Sequence, residues 1–226
     1  MNDRLVYLAI DLGVFLIPFL FSFHPRFRFI QTWKAFTPAV LITGTIFIIW
    51  DIIFTRIGVW SFNDRYVLGI YWFDLPIEEW LFFFCIPYAC IFTHFCLSQI
   101  KWKLNTKWLS GIRHFLTVAL LLLATLYYHK LYTCITFAST AILLLLHPLF
   151  SKAENFSRFF ISYLILLIPF MVSNGLLTGT GLDDTIVKYN SNHILNIRVL
   201  TIPVEDFVYG MMLILINVLV FEKANK

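Results

Sequence analysis

The sequence contains little charge. Only 13% of its 226 residues are Asp, Glu, Lys or Arg, whereas 60% are hydrophobic, and an ordinary soluble domain has roughly 25% charged residues. So much apolar surface exceeds what one soluble globule of this length can bury, and the shortage of charge excludes a disordered chain. The net charge of +4 is too small for a nucleic-acid partner. The composition therefore indicates a polytopic membrane protein.

Several cofactor and metal motifs are also missing. The four cysteines are isolated in apolar runs, which argues against a disulfide or zinc framework. No Gly-x-Gly-x-x-Gly follows a strand pattern, so a dinucleotide fold is not predicted. The six histidines are scattered, and Asp183-Asp184 is a single acidic pair where a membrane prenyltransferase needs two Asp-rich magnesium–diphosphate motifs. The sequence therefore predicts no metal and no cofactor.

Long apolar runs are abundant. A bilayer core of roughly 30 Å needs about 20 apolar residues per helix, and seven runs qualify. They are continuously apolar rather than alternating, which favours helices over membrane strands. The predicted fold is all-α, a bundle of seven transmembrane helices near residues 4–23, 36–55, 75–97, 109–128, 131–149, 158–177 and 203–221.

The distribution of Lys and Arg predicts the orientation. Cytoplasmic loops of membrane proteins carry an excess of these residues. One side of the predicted bundle receives eleven, namely Arg26, Arg28, Lys34, Lys101, Lys103, Lys107, Arg113, Lys152, Arg158, Lys223 and Lys226, and the other receives six. We therefore expect a multi-pass protein of the cell membrane with its N-terminus outside and its C-terminus in the cytoplasm.

The two halves of the chain resemble each other. Residues 62–70 and 74–80 match 189–197 and 201–207 at an offset of 127. Upstream the offset becomes 123, where Asp51 matches Asn174. Spans 1–3 then correspond to spans 5–7 and run in the same directions, which predicts parallel repeats about a pseudo-two-fold axis along the membrane normal. The expected division is 1–98 for the first repeat, 99–130 for a linker helix and 131–226 for the second repeat.

Two acid pairs are the strongest candidates for chemistry, since charged residues at membrane depth are costly and mark functional sites. Each pair follows a proline at the start of a span, with Asp74 and Thr201 as expected N-caps. Four acids around one axis cannot all ionise cheaply, so at least one should be a proton donor. The predicted catalytic residues are Glu78, Glu79, Glu205 and Asp206. Because their positions are equivalent, we expect Glu78 and Glu205 to face the centre.

Other polar and aromatic residues around these acids are candidates for binding or orienting a substrate. Asp51 lies inside span 2 and could orient the acids or join helices, and Arg56, Arg65 and Arg198 could each neutralise an acid or bind headgroups. Aromatic faces near the acids could stabilise a cation, although most belong to the interfacial belt. The candidates are Asp51, Asn174, Asn63, Asn190, Arg198, Trp60, Trp80 and Tyr209.

These motifs resemble a known family. Gly58-Val59-Trp60-Ser61-Phe62-Asn63 and Leu75-Pro76-Ile77-Glu78-Glu79-Trp80 are similar to the first half of small membrane-integral lycopene cyclases. Tyr189-Asn190, Asn196-Ile197-Arg198 and Ile202-Pro203-Val204-Glu205-Asp206 are similar to the second half. In that family the halves occur as separate subunits or fused in one chain, and this sequence resembles the fused form.

The resemblance implies a lycopene β-cyclase of carotenoid biosynthesis. Such an enzyme protonates an end group of the linear polyene, closes a six-membered ring and removes a proton, with no net redox change and no metal. The implied partners are lycopene and membrane lipid, with no nucleic acid, and a homo-oligomer is left open, as are a flavin requirement and γ- or ε-ring products. The alternatives are a small transporter with 3+1+3 parallel repeats and another isoprenoid-modifying membrane enzyme.

Overall fold

The computed structural model describes residues 3–100 and 105–225, so Lys101, Lys103 and Lys226 of the charge count lie outside the described residues. Seven described helices are long and apolar enough to cross a membrane, which confirms the all-α polytopic bundle. Six short strands lie in the described loops between these helices. The helices are α1 (Val6–Phe21), α2 (Trp33–Arg56), α3 (Ile77–Ser98), α4 (Thr106–Leu126), α5 (Leu131–Phe150), α6 (Ala153–Leu177) and α7 (Val204–Ala224).

The helix bounds follow the apolar runs to within a few residues, and the largest difference is the start of α6, five residues before the expected one. Prolines lie inside five helices without ending them: Pro18, Pro38, Pro87, Pro148 and Pro169. Such prolines are tolerated in membrane helices because neighbouring helices and side-chain hydroxyls satisfy the freed backbone groups.

The strands form three antiparallel pairs, none of which the sequence analysis predicted. β1 (Trp60–Phe62) pairs with β4 (Val187–Tyr189) and joins the loops of the two halves. β2 (Tyr71–Trp72) pairs with β3 (Leu75–Pro76), and β5 (Arg198–Val199) pairs with β6 (Ile202–Pro203). These two hairpins stand directly before α3 and α7, so each one fixes the start of a helix that carries an acid pair.

The register of the β1–β4 pair follows the sequence repeat. Ser61 faces Lys188, its own counterpart at the offset of 127, while Trp60 faces Tyr189 and Phe62 faces Val187. Tyr189 is the counterpart of Phe62, and Val187 is the counterpart of Trp60. An antiparallel ladder has a local two-fold axis through each facing pair. The ladder therefore relates equivalent loop residues by a local two-fold axis through its central pair.

The helices pack in corresponding pairs. α1 packs on α3 and α5 on α7, while α2 packs on α7 and α3 on α6. α4 lies outside these pairs and contacts α5 and α6. The correspondence is uneven, because α2 lies close against both α3 and α7 whereas α6 contacts α3 and α7 less extensively. This difference leaves space beside α6, and that space is the site described next.

Candidate active site

A cavity of about 840 Å³ lies between the two halves of the bundle. Its walls come from α1, α3, α6 and α7, and most of the lining side chains are apolar. Three acids reach it: Asp51, Glu79 and Asp206. Along α1 the lining runs from Val6 to Pro18, a distance of about 18 Å at 1.5 Å per residue. The cavity is thus an elongated apolar space with acids at one end.

The cavity has an exposed side between α1 and α6. Ile17 of α1 and Val172 of α6 both line it, yet they are 64% and 65% exposed. Both helices belong to the apolar set that is long enough to cross a membrane, and in a bilayer this exposed side would face lipid. An apolar chain dissolved in the bilayer could enter there without crossing water.

Asp206 is the better satisfied of the two cavity acids that follow the prolines. Its carboxylate accepts hydrogen bonds from the Tyr132 hydroxyl at 2.8 Å, the Asn174 amide at 2.9 Å and the Tyr189 hydroxyl at 2.9 Å. Burial, followed by the nearby Asp206 carboxyl, raises the pKa of Tyr189 well above its usual range. Tyr189 therefore keeps its proton and remains a donor throughout the physiological pH range.

Glu79 occupies the equivalent position in the first half with different partners. The Tyr7 hydroxyl donates to its Oε2 at 2.5 Å. Its second partner is the carboxyl group of Asp51, with which its side chain shares a hydrogen bond. Asp51 is the sequence counterpart of Asn174, and Phe62 stands where the second half has Tyr189. The first half thus offers a carboxyl group where the second half offers an amide and an additional hydroxyl.

Glu78 and Glu205 point away from the cavity. The Leu68 amide donates to Glu78 Oε1 at 2.7 Å, and the Leu195 amide donates to Glu205 Oε1 at the same distance. The Thr133 hydroxyl adds a 2.6 Å bond to Glu205. The expectation that these two glutamates face the centre is therefore wrong. The backbone amides of the preceding loop capture the first acid of each pair, and the rotation of about 100° per residue turns the second acid towards the cavity.

The expected N-caps are also wrong. The N-cap positions of α3 and α7 are Pro76 and Pro203, and neither makes a side-chain capping bond. Asp74 instead forms an ion pair with Arg56 at 2.7 Å, and the Thr201 hydroxyl bonds the Thr178 hydroxyl at 2.8 Å. The hairpin preceding each helix carries these residues outward, so the cap is left to the extended backbone of proline.

The loop arginines do not neutralise the acid pairs in the described structure. Arg65 binds Asp3 at 2.6 Å and Asp183 at 2.9 Å. Arg198 donates to the Thr201 carbonyl and lies 5.9 Å from the centre of the Tyr189 ring. The ion pairs formed among residues 3–100 and 105–225 use other acids. They do not include Glu78, Glu79, Glu205, Asp206, Asp11 or Asp51.

The remaining candidates divide into two groups. Trp60 and Tyr209 line the cavity. Trp80 instead packs on Trp72, with ring centres 5.2 Å apart, and does not line it. The two asparagines hold the loops: Asn63 donates to the Asp184 carboxylate at 2.9 Å, and Asn190 donates to the Gly58 carbonyl at 3.0 Å. Asn63, Asn190, Trp80 and Arg198 therefore support the loops beside the cavity and do not face it.

Among the described residues, the cavity occupies one of two equivalent positions, and side chains fill the other. Its wall includes Ser173 and Gly210, whose counterparts in the first half are Trp50 and Phe83 at offsets of 123 and 127. There the rings of Phe47 and Trp50 stack at 6.1 Å, and Phe47 and Phe83 lie 6.2 Å apart. Large rings fill one side, and small residues leave the other side open.

Sequence reasoning missed two tyrosines and undervalued one acid. Tyr7 and Tyr132 begin α1 and α5 and bind Glu79 and Asp206 in equivalent ways, but they match at an offset of 125, which neither detected offset finds. Asp11 is fully buried, and neither of its carboxylate oxygens has a hydrogen-bond partner among the described residues. The position of Asp11 within the first apolar run of the sequence could have identified it.

The fold and the site define a class: a polytopic helical membrane protein with an acid-lined apolar cavity that opens between two helices. Comparison with known proteins gives the family. The family model described as "Lycopene cyclase" matches residues 4–97 and 129–224, so the chain belongs to the lycopene cyclase family. This membership supports an enzyme, not a transporter.

One curated relative is a protein of Phaeosphaeria nodorum named "Bifunctional lycopene cyclase/phytoene synthase". It is 33% identical over 78 residues, which cover 34% of this chain and 13% of that protein. The matched segment is therefore a small part of the relative. No solved structure matches the chain.

Proposed function

We propose that this protein is a lycopene β-cyclase that closes linear end groups of lycopene into β-rings inside the membrane. The observation that carries the proposal is the placement of Asp51, Glu79 and Asp206 at one end of an apolar cavity that opens towards lipid. Membership of the lycopene cyclase family supports the same substrate. A linear hydrocarbon fits an elongated apolar space better than any polar solute does.

The reaction needs one acid, one base and a dry pocket. A proton adds to the terminal double bond of the end group and leaves a tertiary carbocation. The next double bond attacks this cation and closes a six-membered ring, and loss of a proton then forms the ring double bond. Positioned acids and bases typically accelerate such steps by about 10²–10⁴-fold. The cavity acids supply these groups, and the product is an isomer of the substrate.

Two aromatic residues are placed to assist the cation. Trp60 and Tyr209 line the cavity near the acids, and an aromatic face attracts a cation through its quadrupole. Glu78, Glu205, Asn63, Asn190, Trp80 and Arg198 hold the loops and helix starts that position the acids. In this proposal the catalytic carboxyls are therefore Glu79 and Asp206, with Asp51 as a direct partner.

The placement in the cell also belongs to this proposal. The excess of Lys and Arg on the side opposite the acids supports a cytoplasmic location for that side, and thus an external N-terminus in the cell membrane. The correspondence of α1–α3 with α5–α7 supports the division at residues 98/99 and 130/131, with α4 as linker. Membrane lipid surrounds the bundle, and a homo-oligomer is compatible with its apolar outer faces.

Expression in bacterial cells that accumulate lycopene tests the function. We expect the extracted pigment to change its absorbance and retention while its mass stays that of lycopene. Purified protein in lipid should give the same product without added flavin, nicotinamide or divalent metal. An unchanged pigment profile in cells that contain folded protein would contradict the proposal and favour the transporter alternative.

A further inference from the structure

The two cavity acids have hydrogen-bond environments of opposite kinds. Asp206 receives three hydrogen bonds from groups that keep their protons: two hydroxyls and one amide. Hydrogen bonds donated to a carboxylate stabilise its charged form and oppose the effect of burial, which favours the protonated acid. Asp206 is therefore arranged as a proton acceptor.

Glu79 accepts one hydrogen bond from the Tyr7 hydroxyl and shares a second one with another carboxyl group, that of Asp51. Two carboxylates only accept hydrogen bonds, so a bond between two carboxyl groups requires a proton on one of them. This proton lies at the cavity wall, because both side chains line it. The Asp51–Glu79 pair is therefore arranged to hold one transferable proton.

The difference between the halves lies in two positions of the repeat. Asp51 in the first half corresponds to Asn174 in the second, and Phe62 corresponds to Tyr189. The first change places a proton-carrying group beside Glu79, and the second removes a donor from it. Both changes therefore make the surroundings of Glu79 less suited to a proton acceptor than the surroundings of Asp206.

We propose that the two halves divide the proton transfers: the Asp51–Glu79 pair donates the proton that starts cyclisation, and Asp206 accepts the proton that ends it. This inference rests on the proposed lycopene cyclase function. The O–H bond of Glu79 breaks as a C–H bond forms at the terminal double bond. After ring closure, a ring C–H bond breaks, its electron pair becomes the ring double bond, and the proton passes to Asp206.

Each turnover moves one proton from the first half to the second, so that proton must return before the next turnover. Tyr189 and Tyr209 are suited to this return. Tyr189 is bonded to Asp206, and both tyrosines line the cavity together with the three acids. No oxidant, reductant or metal is needed. After each turnover, a single proton transfer within the protein, from Asp206 back to the Asp51–Glu79 pair, restores the starting state.

Three isosteric variants test the division: Glu79→Gln, Asp51→Asn and Asp206→Asn. Loss of the donor should reduce β-ring formation by about 10²–10⁴-fold without changing the type of ring. Loss of the acceptor should reduce it too, but it should also raise the share of γ- and ε-rings, because the final cation then loses a proton from another carbon. The readout is the ring composition of pigment from cells with matched levels of folded protein.

Asp51→Asn is the sharpest of these variants. It gives the first half the amide that Asn174 supplies in the second half and preserves the shape of the side chain. We expect a loss of turnover similar to that of Glu79→Gln, with unchanged ring type. Near wild-type turnover of Asp51→Asn would overturn the division. A shift in ring type in Glu79→Gln or Asp51→Asn, with no such shift in Asp206→Asn, would overturn it as well.

The wild-type protein separates the two proposals. If it forms rings and the variants contradict the expected pattern, only the division is wrong, and the lycopene cyclase function stands. If folded wild-type protein forms no rings, the function itself is wrong and the division falls with it. Thermal unfolding of each variant in detergent shows whether a loss of rings reflects a loss of fold.

Discussion

Ser61 and Lys188 face each other at the centre of the β1–β4 ladder and hold the same position in the two repeats. The loops that precede α3 and α7 are thereby joined about a local two-fold axis. Leu68 and Leu195, which are equivalent in these loops, bind Glu78 and Glu205 at the same 2.7 Å distance. The ladder and these two bonds set the rotation of both helix starts, and so direct Glu79 and Asp206 into one shared cavity.

Removal of the Glu78 or Glu205 carboxyl, which holds the preceding loop, should reduce the stability of the fold before it affects cyclisation. Glu78→Ala or Glu205→Ala leaves the partly buried amide of Leu68 or Leu195 without its acceptor, a loss of about 1–3 kcal/mol. Glu78→Gln and Glu205→Gln keep an acceptor oxygen, so they should unfold close to the wild-type temperature and retain cyclisation. Thermal unfolding in detergent, together with pigment analysis, checks both statements.

This prediction replaces the one that the sequence supports. Equivalence of Glu78 and Glu205 alone favours them as the central pair. If the Gln variants lose turnover at wild-type stability, then the first acid of each pair takes part in the chemistry after all.

The sequence predicts the fold well because its apolar runs are long and the bilayer fixes the length of a helix. It also predicts that the acids belong to a functional site, since a charged residue within an apolar run is energetically costly. It cannot tell which of two adjacent acids faces the cavity, because that choice depends on the loop amides of Leu68 and Leu195. The sequence does not reveal the cavity either. Its detection requires knowing that Ser173 and Gly210 line an internal space and do not contact lipid.

Tyr189→Phe should weaken the acceptor without dismantling the site. Phe62 already fills the equivalent position, so the ring itself should be accommodated. A hydrogen bond to a charged group contributes about 1.5–3 kcal/mol, and cyclisation should fall about tenfold or more. Tyr71→Phe is the control, because its hydroxyl binds the exposed loop residue Asp64 at 2.5 Å.

The effect of Tyr189→Phe should persist at every pH between about 6 and 9. The raised pKa of Tyr189 means that its hydroxyl donates below that pKa and stops donating only as the pH rises through it, which lies above the usual value of 10.0. The ratio of variant to wild-type rates in lipid vesicles should therefore stay below one throughout this range. A ratio that approaches one by pH 9 would show that Tyr189 ionises within this range.

One cavity should close one end group at a time. The equivalent space on the other side is filled by Phe47, Trp50 and Phe83, so the two ends of a lycopene molecule cannot react together in one chain. We expect a carotene with one ring to form before any with two. Pigment sampled at early times after lycopene addition checks the order, and two-ring product that precedes the one-ring species would contradict it.

Large residues placed in the cavity should abolish cyclisation while preserving the fold. Ser173→Trp and Gly210→Phe introduce side chains that the first half accommodates at its equivalent positions, Trp50 and Phe83. Each would occupy space that the substrate needs, so ring formation should fall below detection at normal protein levels. The measurement is pigment composition beside thermal unfolding of the purified variants.

Two matched controls separate filling from damage. Gly210→Ala should keep activity, since a Cβ there would lie 3.5 Å from the Phe170 ring, an ordinary contact. Ile168→Trp places the same large ring on α6 at a position that is 72% exposed, outside the cavity lining. If Ser173→Trp retains turnover, or if Ile168→Trp loses it as fully, then the substrate does not bind in the space between α1 and α6. Loss confined to the two cavity variants locates the substrate beside Glu79 and Asp206.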